Sequence, residues 1–339
     1  MLNNNLYNSN DDSILLRVLK LLKSHNSEYV SGQDICDKLK ISRTAVWKHI
    51  KKIRSLGYKI ESKQNRGYRI TRQTFLPLPW EITSSLKTKQ IGKTVYYFDT
   101  IDSTQNFASK ISNQNNSGTV IIAQRQTSGK GRLGRRWASP VGGIWLSVIL
   151  HPKFDVSYAT LFPIASSLAL GIAIEKTLNL KPELKWPNDV TLNGKKVAGM
   201  LVDISIESNQ IEHLILGVGI NYKVDTKKLN ASLKKSDHFY GASSLLKKSQ
   251  VANPTKLIQS FLYELEQICN ILDNGNVGTI IKKWTSKSST IGKKITVDTA
   301  GSKMSGKAVR IDDDGALVIS KNGTEHRLLV GDVNYLRIR

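Results

Sequence analysis

Apolar residues at helical spacing open the chain. Ile14, Leu15, Val18, Leu19 and Leu22 recur at intervals of three and four, which predicts a helix over residues 13–23 with one apolar face. A second helix is predicted from Ser31, where Ser31 and Asp34 form a capping pair and Ile35 and Leu39 supply the buried face. After a turn at Lys40 and Ile41, Ser42 caps a third helix that ends at Leu56, with Gly57 as the stop. Val46, Ile50 and Ile53 fall on the inner side of this helix, and Arg43, Thr44, Trp47, Lys48, Lys51 and Arg54 on the other. Tyr58, Ile60 and Ser62 then alternate, residues 63–67 turn, and Tyr68, Arg69 and Ile70 return as a β-hairpin with Lys63 and Arg66 at its tip. Helix, tight turn, basic helix and hairpin in this order predict a winged helix-turn-helix. Arg43, Thr44 and Trp47 are its candidates for base edges, Lys48 and Lys51 for phosphates, and Lys63 and Arg66 for contacts from the wing. The plainer alternative is a three-helix protein-interaction module with a solvated basic face.

The pattern changes at Phe75-Leu-Pro-Leu-Pro79, where two prolines predict an extended linker and a domain boundary. Strands are predicted at Val95–Asp99, Thr119–Gln124 and Ile144–Leu150, with a helix from Ser103 to about Ser112 between the first two. Leu161–Leu178 reads as a largely buried helix. Asn193-Gly194 closes a tight hairpin before strands at Lys196–Asp203 and Leu214–Asn221. Gly217 and Gly219 suggest that something lies close against the last of these. Helices follow at Ala252–Ile271 and Val277–Lys287, and from Ile291 short strands punctuated by glycine predict a small β-barrel. The expected class is α/β (α+β), in three parts: residues 1–74 for DNA binding, 75–288 as a mixed-sheet domain with helices, and 289–339 as the barrel.

Charge sharpens this picture. The net charge is +23, and the first 72 residues alone carry fifteen Lys and Arg against six Asp and Glu. Such a surplus points to nucleic acid or other anionic partners, or merely to a lysine-rich, soluble surface. The lysine-rich stretch 223–250 reads most simply as a solvated loop. Two distant cysteines, Cys36 and Cys269, fit a reducing compartment, and none of the six histidines sits at metal-ligand spacing, so no structural metal is expected. Residues 161–178 are interrupted by Ser166, Ser167, Glu175 and Lys176, and residues 1–12 lack a signal core. A cytoplasmic protein with no membrane contact is therefore expected.

The chemistry concentrates in the middle of the chain. Residues 126–137 hold Gly129, Gly131 and Gly134 among Lys130, Arg132, Arg135 and Arg136, followed by Trp137. Glycines expose backbone N–H groups and the cations neutralise phosphate, so this reads as an anion-binding loop, mobile until ligand arrives, or else as a solvated or DNA-contacting one. It matches neither the Walker pattern nor the dinucleotide fingerprint. In Lys185-Trp-Pro-Asn188-Asp189 the proline forces a turn. Asp189 there either holds Mg²⁺ or joins Asn188 in an ordinary Asx turn. Lys196 either faces a ligand or is a solvated strand residue.

Together, Asp102-Ser103-Thr104, Gly129–Trp137, Lys185–Asp189, Lys196-Val-Ala-Gly199 and Gly219-Ile-Asn221 resemble the motif series of the biotin–protein ligases. With the winged helix-turn-helix in front, the whole chain resembles the bifunctional bacterial biotin ligases that are also biotin operon repressors. The resemblance implies an ATP- and Mg²⁺-dependent reaction in two steps, through biotinyl-5′-AMP, to a lysine of a biotin carboxyl carrier domain. It also implies operator DNA as partner, a homodimer when loaded with the adenylate as corepressor, and an SH3-like C-terminal domain. Carried over by position, Ser103, Thr104, Gln105 and Gln126 contact biotin with Gly129, Lys130 and Gly131, while Arg132 and Lys196 face the carboxyl and phosphate groups as catalytic residues. Trp137 walls the site, and Gly199 and Gly219 leave room for ring and tail. Arg135, Asn188 and Asn221 fall to the nucleotide with Arg132 and Trp137, and residues 242–245 to the adenine. Two positions depart from the family pattern: Lys130 stands where Arg is frequent, and Gln105 where Asn is. The runner-up reading is a ligand-sensing transcription factor without catalytic activity.

Overall fold

Residues 6–9, 13–25, 28–233, 241–251, 253–299 and 302–335 are described by the computed structural model. A short strand, β1 (Leu6–Asn8), comes before three helices, α1 (Ile14–Ser24), α2 (Gly32–Leu39) and α3 (Arg43–Ser55). The Ser31 and Ser42 hydroxyls accept from the backbone N–H groups of Asp34 and Ala45 at 3.0 and 3.1 Å, so both expected caps form. The inner face of α1 is shifted from the expected one. Leu16 is buried with Val18, Leu19 and Leu22, while Ile14 is 38% exposed at the helix start. The hairpin pairs β2 (Lys59–Lys63) with β3 (Gly67–Arg72). Val30 and Tyr68 exchange both backbone hydrogen bonds, and Gly67, at φ +100°, leaves no room for a Cβ against the Val30 carbonyl. Arg54, on the outer side of α3, turns toward the hairpin. Its guanidinium donates to the Ile60 carbonyl at 2.9 Å and to Ser62, which fastens α3 to the hairpin.

The expected extended linker is corrected. Thr74 is buried and donates to the Leu56 carbonyl at 2.6 Å. Leu78 is fully buried, and Pro79 starts a short helix, α4 (Pro79–Thr83). Glu81 accepts from both Lys23 and Tyr58, and the Trp80 indole donates to the Tyr58 hydroxyl at 2.8 Å. Burial, reinforced by the Glu81 carboxylate, pushes the Tyr58 hydroxyl well above its ordinary value. Prolines spaced by two set the local backbone, but the apolar side chains between them found partners on both sides.

The mixed sheet continues with β4 (Val95–Phe98), crosses over through α5 (Thr104–Ile111) to the parallel β5 (Thr119–Ala123), and then runs antiparallel through β6 (Ile144–Leu150). After α6 (Phe162–Leu178) come β7 (Glu183–Lys185), β8 (Asp189–Leu192), β9 (Lys195–Glu207) and β10 (Gln210–Ile220). The strand order is β1-β4-β5-β6-β10-β9-β8-β7. β1, which precedes the three helices in the chain, pairs antiparallel with β4 at the edge of the central sheet. Nothing in residues 6–8 alone announces this, because three residues carry no periodicity.

Next are α7 (Thr226–Leu233), α8 (Pro254–Asp273) and α9 (Val277–Ser286). The expected loop at 223–250 thus contains a helix, residues 234–240 lie outside the described residues, and so does Ala252, the expected start of α8. Every residue of β6 is buried, because α5 covers one face of the sheet and α6 the other, with α8 and α9 packed on α6. The chain ends in a five-stranded antiparallel sheet of β11 (Lys294–Thr299), β12 (Ser302–Ile311), β13 (Leu317–Lys321), β14 (Thr324–Leu328) and β15 (Asp332–Tyr335). No helix among the described residues is long and apolar enough to cross a membrane.

Candidate active site and nucleic-acid interface

A cavity of about 250 Å³ opens where β9 and β10 run beneath residues 126–137, between the start of α5, the β7–β8 turn and β15. At one end, Ser103 holds the N-cap position of α5, but its hydroxyl makes no capping bond. Gln126 takes that role across the sheet: its Oε1 accepts from the Thr104 backbone N–H at 2.7 Å and from the Thr104 hydroxyl at 3.0 Å. The Gln126 amide nitrogen donates to Ser139 at 2.8 Å. Gln105 lines the cavity too, but its amide hydrogens go to Asp203 and the Ile215 carbonyl, and its oxygen faces Ser147. The Gln105 amide is thus engaged by the protein on both its nitrogen and its oxygen, and Ser147 stands between it and Thr104. The methylene that Gln105 has beyond an asparagine gives it the reach to β9.

Residues 126–137 form a hairpin, not an open loop. Gly131 N–H donates to the Arg135 carbonyl at 2.7 Å and Trp137 N–H to the Gly129 carbonyl at 2.8 Å. Leu133 and Gly134 make the turn at positive φ, and Leu133 is 71% exposed at its tip. Arg135 pairs with Asp332 of β15 and Arg136 donates to the Thr127 carbonyl, so the hairpin is latched over the cavity. Lys130, Gly131, Arg132, Arg135 and Trp137 line the cavity; Gly129 does not. It is buried behind the hairpin, where a Cβ would lie 2.5 Å from the Trp137 carbonyl.

The cationic end is assembled from three stretches of chain. Arg132 donates to the Asn188 side-chain oxygen at 3.3 Å, and Asn188 donates to the Met200 carbonyl at 2.5 Å. Lys196 pairs with Asp189 at 2.6 Å and lies over the Trp137 ring, 5.1 Å from its centre. Lys185, which motif reading left without a role, is buried at the same wall. Burial pushes its ammonium down to about 8, against the pull of Asp189. Burial likewise lowers the Arg132 guanidinium from its usual range. Three cations held partly out of water make a strong electrostatic trap for phosphate.

Asp189, expected as a possible Mg²⁺ ligand, is engaged by Lys196 and stands among Lys185, Arg132 and Arg135. No group of three His, Cys, Asp or Glu side chains suited to a metal occurs among the described residues. A single carboxylate ringed by cations does not fit a protein-built Mg²⁺ site. Its observed work is to orient Lys196.

Apolar walls complete the cavity. Trp186 is buried, and its indole donates to the Gly315 carbonyl at 3.0 Å, pinning the β7–β8 turn to the C-terminal sheet. At Gly219 a Cβ would sit 2.5 Å from the Trp137 indole nitrogen, and at Gly199 one would meet Lys196 and Trp137 at 3.1 and 3.2 Å. Gly217 clears space for the Gln105 oxygen, so something does lie close against this strand. Gly219→Ala is accordingly expected to displace the indole, cost about 1–3 kcal/mol in overpacking and raise KM for both substrates; a variant with unaltered KM values would show that Trp137 is not a fixed wall. Asn221 Oδ1 and Trp137 Nε1 are buried with no hydrogen-bond partner among the described residues, and both belong to cavity-lining side chains. Leu229 and Ala242 close the cavity beside Asn221.

Away from the cavity lining, α3 presents Arg43, Thr44, Trp47, Lys48 and Lys51, all exposed. Arg43 is oriented by Gln33 of α2 at 2.8 Å, and Lys51 lies over the Trp47 ring at 5.3 Å from its centre. Lys63 and Arg66 flank the hairpin turn, with Arg66 stacked on Tyr29 at 4.7 Å. Residues 15–69 match the HTH domain family and residues 97–221 the biotin/lipoate A/B protein ligase family. The chain is 33% identical over 319 residues to the bifunctional ligase/repressor BirA of Bacillus spizizenii, covering 93% of this chain and 97% of that protein. It is 26% identical over 334 residues to the Escherichia coli protein of the same description, covering 96% and 98%. A solved biotin protein ligase from Aquifex aeolicus, in complex with biotin and ATP, superposes with a TM-score of 0.57 at 25% identity, over 74% of this chain and 100% of that one. The helix-turn-helix, the ligase sheet and relatives matched from end to end agree: the chain belongs to the bifunctional ligase/repressor family, biotin–protein ligases that carry their own DNA-binding domain.

Proposed function

We propose that the cavity binds biotin with its ureido head at Ser103, Thr104 and Gln126 and its carboxylate toward Arg132 and Lys196, with the ATP phosphates beside Lys185, Asn188 and Arg135. The observation that carries this reading is the polarity of the cavity: neutral hydrogen-bonding groups at one end and three cations at the other. In the first step a biotin carboxylate oxygen attacks the α-phosphorus and the bond to the pyrophosphate oxygen breaks. Arg132, Lys185 and Lys196 offset the charge that builds on the phosphoryl oxygens. Mg²⁺, where it is required, adds charge neutralisation on the nucleotide phosphates. In the second step a neutral lysine amine of the carrier domain attacks the acyl carbon, AMP departs and the amine loses a proton. The hairpin latched by Arg135 and Asp332 keeps water from the anhydride meanwhile. The unpartnered Asn221 oxygen suits the amino group of adenine, next to Ala242. Incubating the protein with ATP, Mg²⁺, biotin and an acceptor carrier domain tests the reading: an unlabelled acceptor lysine would leave only a ligand-sensing repressor.

In the same proposal, the adenylate is corepressor and the loaded protein binds operator DNA as a dimer. β9 supports this. Beyond Gly199 it has β10 on one side and no strand on the other among the described residues, and Ile206 is 53% exposed there. A free strand edge with apolar side chains suits pairing with a second copy. Replacing Arg43 and Lys48 together with alanine is expected to weaken operator binding at least tenfold and to reduce its salt slope by about one. Biotinylation should be untouched, as no residue of α3 lines the cavity; loss of both activities would mean misfolding instead.

A further inference from the structure

Ser147 sits in the middle of β6, fully buried, and lines the head-group end of the cavity. Its hydroxyl oxygen is 2.9 Å from the Thr104 hydroxyl and 2.9 Å from Gln105 Oε1. One hydroxyl has one proton, so which neighbour receives it matters. Gln105 decides. Its amide nitrogen donates to Asp203 Oδ2 at 2.8 Å and to the Ile215 carbonyl at 3.0 Å, and both partners are acceptors only. Turning the amide over would set its carbonyl against a carboxylate and another carbonyl. Its oxygen therefore faces Ser147 and can only accept, so this 2.9 Å contact is a hydrogen bond when the Ser147 proton points at Gln105 and not at Thr104.

The Thr104 side is fixed by a parallel chain. Ser139 donates to the Trp137 carbonyl at 3.1 Å and accepts from the Gln126 amide at 2.8 Å, so Gln126 turns its oxygen to the Thr104 hydroxyl. When the Ser147 proton is on Gln105 and the Thr104 proton on Gln126, the two hydroxyl oxygens stand 2.9 Å apart at the cavity wall with lone pairs toward each other, and a ligand N–H placed between them is accepted by both.

We propose that Ser147 is a second acceptor for a ring N–H of the ligand, and that Gln105 and Asp203 are positioning residues that hold its hydroxyl in the accepting orientation. This rests on the assignment of this end of the cavity to the ureido head. It adds a device peculiar to a chain with Gln105: the polarity of the site is set from β9, by a carboxylate that does not line the cavity.

Asp203 is exposed, so Asp203→Asn changes the device without entering the cavity or a packed core. An asparagine offers Gln105 either an oxygen or an amide, and the bias on the Gln105 flip is lost. The expected result is a rise of about three- to tenfold in KM for biotin, the size of one neutral hydrogen bond, with kcat and KM for ATP unchanged. Ser147→Ala should raise the biotin KM similarly, and Asp203→Asn should add nothing in that background, because its effect passes through the Ser147 hydroxyl. Additive effects, or an Asp203→Asn protein that loses thermal stability and kcat with its biotin KM intact, would overturn the proposal. Thr104→Val, measured alongside, separates the two levels. If it raises the biotin KM and Ser147→Ala does not, only the role of Ser147 falls; if neither does, the assignment of the subsite falls with it.

Discussion

Replacing Lys196 by glutamine is expected to lower the rate of adenylate formation about 100- to 1,000-fold, the usual cost of removing one preorganised charge donor from a reacting oxygen. KM for biotin should rise by a smaller factor than the rate falls, because the carboxylate loses one cation while Thr104 and Gln126 at the other end of the cavity keep their arrangement. The variant should also be less stable, since Asp189 loses the partner 2.6 Å away in a partly buried place. A second substitution separates these effects. Lys196→Gln combined with Asp189→Asn should recover most of the lost melting temperature and none of the lost rate. A double variant that recovered rate would show that the Lys196 charge is not used on the phosphoryl group. The measurement is isotope exchange between pyrophosphate and ATP with biotin present, beside a thermal melt.

Arg132→Gly should leave the first step detectable and break the grip on its product. Arg132 reaches the cavity from the latched hairpin and is held by Asn188, so it can close on the phosphate from a different element than Lys196 of β9. A charge-assisted contact of this kind is roughly twice as strong as a neutral one, and its loss should raise the release rate of biotinyl-5′-AMP about 10- to 100-fold. Adenylate made by the variant should separate from the protein on gel filtration, whereas that of the parent should co-elute. Equal retention by the two proteins would move the phosphate clamp to another residue, with Lys185 the first to test. The variant should also label lysines of unrelated proteins, as a freed anhydride reacts without selection.

The amino-acid pattern by itself determined the secondary elements that carry function. Helical spacing and the serine caps were enough for α2 and α3, since a cap and an apolar face are local properties. The hairpin after α3, the buried α6 and the turn at Asn193-Gly194 were legible for the same reason. The motif series marked many of the cavity-lining residues, because glycines, cations and their order are written along the chain, but it left Lys185 and Ser147 without a role and counted Gly129, which sits behind the hairpin. Four things were decided only by tertiary structure. β1 is too short to have a period and exists because β4 offers an edge. The proline-rich segment reads as a linker until Tyr58, Lys23 and Glu81 are brought together around it. Asp189 looks like a metal ligand in one dimension and proves to be the partner of Lys196, and Gln105 looks like a ligand contact and proves to reach Asp203, 98 residues away. The reason is common to all of them. Which atom receives a proton, a charge or a strand depends on distances across the fold, and local sequence carries no information about those distances.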